Sequence, residues 1–339
     1  MTKPLVSVVL CVYNRADYLG EAIASILNQT LDDFELIVVD DASTDASPEV
    51  ARGFGDPRLR YFRNETNCGH APSLNRGIVE AQGRHVALMD SDDISLPERL
   101  ERQVAFLEAN PEVALCGGWV ETFGAREELR RFPREPEEVN ARLLTECPFS
   151  TPTILMRRQA TAGRRFDFER FGLAFDYAYW VEVAAAAAVA NLPQTLLKYR
   201  IHEGQTTVAR RAGQLAGTRI VLQRQLERLL GYGDDADVAA LEYVFVNETK
   251  PDPPLAQIGD LFERMRVANR SRRLYDPARL DRMLDEKWTH LLSRHAPSLT
   301  RMWTAFLRRP GLWSLQLGEA CARRTLRPLK PRRRKAQTT

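Results

Sequence analysis

Three carboxylates stand within four residues at Asp90-Ser91-Asp92-Asp93. At that density they repel one another unless a cation or a set of donors neutralises them. Hard oxygen ligands of this kind suit Mg2+ or Mn2+, and such an ion can also hold the charge of a diphosphate leaving group. The same residues would equally make a turn that caps the next helix, because Asp and Ser are preferred caps. A second acidic group, Asp40-Asp41-Ala42-Ser43-Thr44-Asp45, follows an apolar run. A carboxylate there can accept a hydrogen bond from a base N–H or a ribose hydroxyl, or it can serve turn chemistry before a helix at Ser47. No G-x-G-x-x-G and no G-x-x-x-x-G-K-[ST] follows the first apolar run, so the usual glycine cradles for phosphate are missing. Phosphate would have to be held by a metal ion and basic side chains.

Alternating elements must position these residues. Val6–Tyr13 is a continuous apolar run rich in β-branched residues, the pattern of a strand buried on both faces. Tyr18–Gln29 carries Leu19, Ile23, Ile26 and Leu27 at helical spacing. Strands follow at Phe34–Val39, Leu59–Phe62, His85–Met89 and Val113–Val120. Helices are expected at Ser47–Phe54, Ala71–Ala81 and Pro97–Glu108, the last with Pro97 at its first position. Such alternation predicts an α/β fold, a mostly parallel sheet with helices on both faces and right-handed crossovers. Ligands of such sheets sit beyond the carboxyl ends of the strands. Tyr13-Asn14, Asp40-Asp41 and Asp90–Asp93 all fall there. Further on, Pro148–Arg157 reads as a loop leading into a strand, Phe175–Ala188 as a helix and Leu196–Ile201 as a strand. Beyond about 206 the pattern is helical, at roughly 207–230, 235–248, 255–269, 277–294 and 311–326.

These motifs, in this order, resemble the family 2 glycosyltransferases, inverting enzymes of the GT-A (Rossmann-like) fold. The matching pieces are VSVVLCVYN ending at Asn14, SILNQT at 25–30, FELIVVDDASTD at 34–45, Asn67-Cys68-Gly69 with Asn75-Arg76-Gly77, Gly83, LMDSDD at 88–93 and LPERL at 96–100. The likeness is specific over residues 4–120, weaker over 145–205 and says almost nothing over 206–339. It implies that Cys11, Tyr13 and Asn14 line a nucleotide pocket, that Asp41 bonds the base, and that Asp40 helps at the ribose. It makes Asp90-x-Asp92 a D-x-D motif, with Asp92 on Mn2+ or Mg2+ and Asp90 at the ribose or the ion's water shell. Asn75 belongs to the same nucleotide set. Leu74 stands where the family often has a basic residue, and His70 or Arg76 could substitute.

In the second half, Phe175-Asp176-Tyr177 fills the place of the family's Glu-Asp-aromatic segment. The resemblance implies that Asp176 is the general base that takes the proton of an acceptor hydroxyl. The same residue would also serve as a helix cap. Thr151 and Trp180 are the implied acceptor-side residues, although a Trp on an apolar helical face is more often core. Arg200 would hold phosphate charge and His202 would join the metal shell. Ala42 replaces the usual glycine after the acidic pair. The implied reaction uses a nucleotide-sugar donor, a UDP-sugar favoured, and a saccharide or lipid-linked acceptor in surface polysaccharide synthesis. Two alternatives stay open: a degenerate domain that binds nucleotide-sugar or glycan without turnover, and a nucleotidyltransferase.

Composition bounds the rest. With 44% apolar and 27% charged residues in 339, the chain is an ordinary globular protein of one large or two smaller domains. The expected organisation is a donor half at 1–120, an acceptor half of the same domain at 121–205, a helical extension at 206–328 and a basic tail at 329–339. Five scattered cysteines without C-x-x-C spacing argue against zinc and disulfides and fit a reducing compartment. Val6–Tyr13 is too short for a signal sequence, and no apolar run approaches membrane-spanning length. The formal charge is +3, yet residues 301–339 hold eleven Lys/Arg and one Glu, so residues 1–300 carry −7. Residues 301–335 mix Trp303, Phe306 and Trp313 with arginines, a composition suited to an anionic membrane surface. The expected location is cytoplasmic, peripheral on the inner face of the membrane. The acidic body argues against nucleic acid as partner.

Overall fold

A computed structural model describes residues 3–202, 211–246 and 253–295. The expectations for residues 301–335 and for the basic tail lie outside them. The chain forms two compact units, Met1–Val221 and Leu222–Thr339.

The first unit is built on β1 (Val6–Val12), β2 (Phe34–Asp40), β3 (Leu59–Arg63) and β4 (His85–Asp90), all parallel, in the order β3-β2-β1-β4. Every residue of β1 and β2 is buried. Successive side chains of β1 alternate between the faces. Val6, Val8 and Leu10 join one core with Leu19, Ile23 and Ile26 of α1 (Ala16–Leu27). Val9 and Cys11 join another with Ala71 and Leu74 of α3 (His70–Glu80). This two-sided burial explains why the strands read as unbroken apolar runs. The short α2 (Ser47–Arg52) follows β2. Gly77 lets α3 lie close on the sheet, since a Cβ there would meet Val9 Cγ1 at 2.3 Å.

The sheet continues through β8 (Leu155–Arg157), β6 (Val113–Gly124), β9 (Ala188–Ile201) and β5 (Ile94–Ser95), with β7 (Glu128–Arg130) off β6. Here the pairing becomes mixed. β6 and β9 run parallel over a long register, while β8 runs against both β4 and β6. No long crossover helix precedes β8. The chain returns through the β6–β7 hairpin, α5 (Pro136–Arg142) and a 3-10 turn at Thr151–Thr153, and a parallel neighbour would need a full crossover. Residues 121–202 therefore complete the sheet that residues 6–120 begin.

Three boundaries differ from expectation. α4 (Arg99–Ala109) starts two residues after Pro97, whose carbonyl accepts from Thr30 N, outside the helix. After the short α6 (Phe168–Phe171), α7 (Phe175–Ala184) ends before its alanine run does. The strand expected at Leu196 starts at Ala188, because Val189, Ala190 and Leu192 pair along β6. An apolar run with no polar punctuation does not reveal where one period gives way to another.

The second unit is helical. It takes the end of α8 (Arg211–Leu230), then α9 (Asp235–Leu241), a π turn at Glu242–Val246, α10 (Leu255–Arg272) and α11 (Pro277–His295). Phe262, Leu280 and Trp288 are fully buried in it. Arg266 is buried as well and is matched by Glu263, Asp281 and Asp285 at 2.7–3.0 Å. That arrangement avoids the several kcal/mol an unpaired buried charge costs. No helix among the described residues is long and apolar enough to cross a membrane.

Candidate active site

The strand registers align the polar tips. Cys11 stands beside Asp90, and Val12 beside Asp40. Just past β1, Asn14 takes a left-handed conformation with φ 51°. Its Oδ1 accepts from Thr44 N at 2.8 Å and its backbone N–H donates to Ser43 Oγ at 3.0 Å. Asn14 thus fastens the loop after β1 to the loop after β2. Tyr13 beside it is exposed, and Cys11 is almost wholly buried, its thiol pushed up by burial and then by Asp90 and Asp41. Ala42 is left-handed too, with φ 61°. That is the backbone state only glycine adopts without strain.

The acidic pair after β2 faces inward. Asp40 accepts from Tyr61 OH and from Ser43 N at 2.8 Å, and pairs with Arg63 at 3.2 Å. Asp41 Oδ1 accepts from Asn64 Nδ2 (2.7 Å) and Cys68 N (3.0 Å), and its Oδ2 accepts from Gly69 N (2.7 Å). Burial works to raise the Asp41 carboxyl, but these donors outweigh it and hold the group below the ordinary range. Asp41 therefore anchors the turn that opens α3. Both acids spend their oxygens on the protein's own loops. Asn75 does likewise: its amide donates to Phe166 O and accepts from Phe166 N, at 2.8 and 2.9 Å, tying α3 to the second half.

The cluster after β4 is different. Asp90, Asp92 and Asp93 each offer an oxygen, all within 4.8 Å of one another. Burial, then Asp92, then Asp176 push the Asp90 carboxyl up to about 7. Asp93 is also raised well above its ordinary value, by burial and then by Asp90 and Asp92. Its Oδ1 accepts from Arg200 N at 2.9 Å, while its Oδ2 is buried without a partner. The end of β9 closes on this cluster. Arg200 Nε donates to Asp92 O at 2.8 Å, and His202 Nε2 lies 2.9 Å from Asp92 Oδ2. On the other flank His70 Nε2 is 3.9 Å from Asp90 Oδ1.

Asp176 comes from the first turn of α7. Thr151 Oγ1 donates to its Oδ2 at 2.8 Å, and Tyr177 N donates to its Oδ1 at 2.7 Å. Burial raises its carboxyl despite these bonds. Phe175 beside it packs edge-on to His70 at 5.9 Å, and His70 is the residue 3.9 Å from Asp90. Trp180 does not join them. It is fully buried, edge-on to Phe149, Phe166 and Tyr179. The structure places Trp180 in the core, which corrects the acceptor-side role expected of it.

Several participants escape a reading of the sequence. Arg200 lies 4.7 Å over the Tyr18 ring and 4.4 Å over Phe123, and pairs with Glu21. Tyr18 also stands 4.9 Å from the His202 ring. Tyr18 and Glu21 sit three apart on α1, which places them on one helix face, but nothing local reveals a partner in β9. Arg99, within the LPERL segment, is fully buried and donates to Leu88 O (2.8 Å) and Ile154 O (3.3 Å). It steadies the strand that carries the acids.

Comparison with known proteins assigns this arrangement to a class. The family described as Glycosyl transferase family 2 matches residues 7–166. An uncharacterized glycosyltransferase of Haemophilus influenzae is 33% identical over 220 residues, covering 60% of this chain and 68% of its own length. The putative glycosyltransferase EpsE of Bacillus subtilis is 39% identical over 163 residues, 46% of this chain and 58% of its own. Among solved structures, S. aureus TarS 1–349 in complex with UDP-GlcNAc superposes with a TM-score of 0.60 at 18% identity, over 85% of this chain and 92% of that one. The chain belongs to glycosyltransferase family 2, and its fold is GT-A. It is a glycosyltransferase.

Proposed function

We propose that the chain transfers a sugar from a nucleoside-diphosphate sugar to a hydroxyl of a saccharide or lipid-linked glycan in surface polysaccharide assembly, with inversion at the anomeric carbon. One observation carries this reading: Phe175, next to Asp176, packs edge-on against His70 at 5.9 Å, and His70 lies 3.9 Å from Asp90, so the head of α7 comes up to the Asp90–Asp93 cluster. A base and a pyrophosphate-binding group on one site are what an inverting displacement needs. TarS, which shares the fold, was solved with UDP-GlcNAc, so a UDP-sugar is the first donor to test.

The residues fit a Mn2+ or Mg2+ ion. Three hard carboxylates crowd within 4.8 Å, and one of their buried oxygens has no partner. Asp92 and Asp90, with His202, would hold it. When bound, the ion supplies positive charge for the diphosphate leaving group. The chain's own groups do the rest. Arg200, held by Asp92 O, presents a guanidinium beside that charge. Tyr13, Asn14 and Cys11 border the base, and Asp41 and Asp40 shape that border through the loops they fasten. Asn75 ties α3 to the second half by holding residue 166.

Asp176 accepts the proton of the attacking hydroxyl. Thr151 and the Tyr177 N–H fix the carboxylate, and burial strengthens it as a base by raising its proton affinity. Release of UDP from UDP-GlcNAc in the presence of oligosaccharide acceptors tests this. Asp176→Asn should slow release by about 10²- to 10⁴-fold while UDP still binds; turnover equal to wild type would remove Asp176 as the base.

A further inference from the structure

A cavity of about 590 Å³ opens in the first unit among Trp119 of β6, the segment after β7 and the turn at Glu146–Pro148. None of the acids of the donor site lines it. The volume lies within the range of small-ligand sites. Its polar walls come in matched pairs. Arg142 pairs with Glu146 at 2.9 Å and Arg134 approaches Glu135 at 3.9 Å, while Arg131 and Glu138 complete a lining of three arginines and three glutamates. Two aromatic groups add flat surface. Trp119 Nε1 donates to Phe132 O at 3.1 Å, and Arg131 lies 5.5 Å over the Trp119 ring.

This chemistry discriminates among ligands. A sugar ring offers an apolar C–H face to an aromatic side chain and rows of hydroxyls to planar carboxylates and guanidinium groups. A phosphate or uronate would call for a surplus of arginine, and here the charges balance. An acyl chain would call for walls without ion pairs.

The position matters as much as the walls. Cys147 and Pro148 border the cavity. Thr151, which holds Asp176, follows Cys147 by four residues, a span of at most about 14 Å. The Asp176 charge reaches the Cys147 thiol, which burial and then Asp176 push well up. We infer that this cavity holds an uncharged sugar of the acceptor glycan, set back from the residue whose hydroxyl reacts. The inference rests on the glycosyltransfer reading above and adds a substrate class to it: an oligosaccharide, neutral at that ring.

The test is retention of the full chain on immobilised oligosaccharides, one set neutral and one bearing uronate or phosphate groups, with UDP-GlcNAc titrated separately. Wild type and Asp92→Asn should be retained on neutral glycans. Glu138→Gln and Arg131→Ala should lose about tenfold in retention at unchanged melting temperature, with UDP-GlcNAc binding intact. Retention on acidic glycans alone, no retention on any glycan, or equal retention of the cavity variants overturns the inference. If UDP-GlcNAc binding persists in those cases, the glycosyltransfer reading survives without it; if that binding is also absent, the reading falls too.

Discussion

In the proposed reaction Asp176 is the base and Asp92 a metal ligand, and each can be replaced singly. Asp176→Asn keeps the shape and the Tyr177 contact but cannot accept a proton. Sugar transfer should fall by about 10²- to 10⁴-fold, the usual share of general base catalysis, with the dissociation constant for UDP unchanged by titration. Ala42 permits a prediction of the opposite sign. Its left-handed backbone costs an L residue roughly 1–2 kcal/mol, and glycine removes that strain while giving back some chain entropy. Ala42→Gly should therefore stabilise the protein by roughly 0.5–1 kcal/mol in urea unfolding. At this scale the acidic cluster was legible as three carboxylates close in sequence, and the structure keeps their oxygens within 4.8 Å of one another. Asp40, Asp41 and Asn75, expected at the nucleotide, also bond the protein's own loops. A sequence shows that a carboxylate stands at a strand end; it does not show how many donors the neighbouring turn already offers. Trp180 fails as an acceptor residue for a related reason, since an aromatic on a helix records apolar surroundings without saying whether they are a cleft or a core.

Strands and helices set the next level. β1, β2 and β4 were legible as buried runs because both faces of the parallel sheet are covered. β8 was legible as the strand that ends Pro148–Arg157 and β9 only over Leu196–Ile201, because its first half begins inside an alanine run. The clamp of Glu21, Tyr18 and Phe123 around Arg200 joins α1, β6 and β9 across long stretches of sequence and so was invisible. A pH effect belongs to this scale. His85 opens β4, is fully buried, and neither ring nitrogen has a partner. Burial, then Arg157 and Arg84, lower its pKa to about 4. The unfolded chain, with a value of about 6.5, therefore binds the proton that the folded chain refuses. The resulting stability is full above about pH 6.5 and is lost as pH falls toward about 4, on the order of 3 kcal/mol in all. His85→Phe should unfold no more easily at pH 7, since it removes two unsatisfied groups, and should lose most of this dependence in denaturant titrations at pH 4–7.

For the whole molecule, the pattern of the sequence changes near residue 206, and the chain divides into compact units at 221–222, within α8. What the helical unit does was not foreseeable. Its helices carry ordinary amphipathic patterns, and its most unusual feature, the buried Arg266 with three carboxylates, serves its own core. The donor site offers the clearest global readout, because a ligand that binds only the folded chain stabilises all of it. At 100 times its dissociation constant the gain is about 2.7 kcal/mol. The decisive measurement is thermal unfolding of the full chain with UDP-GlcNAc, with and without Mn2+, for wild type and Asp92→Asn. A rise in melting temperature that needs both ligands, and that Asp92→Asn abolishes, is the predicted result. A UDP-GlcNAc shift that is the same without Mn2+ and in Asp92→Asn, or no shift under any condition, would contradict the account.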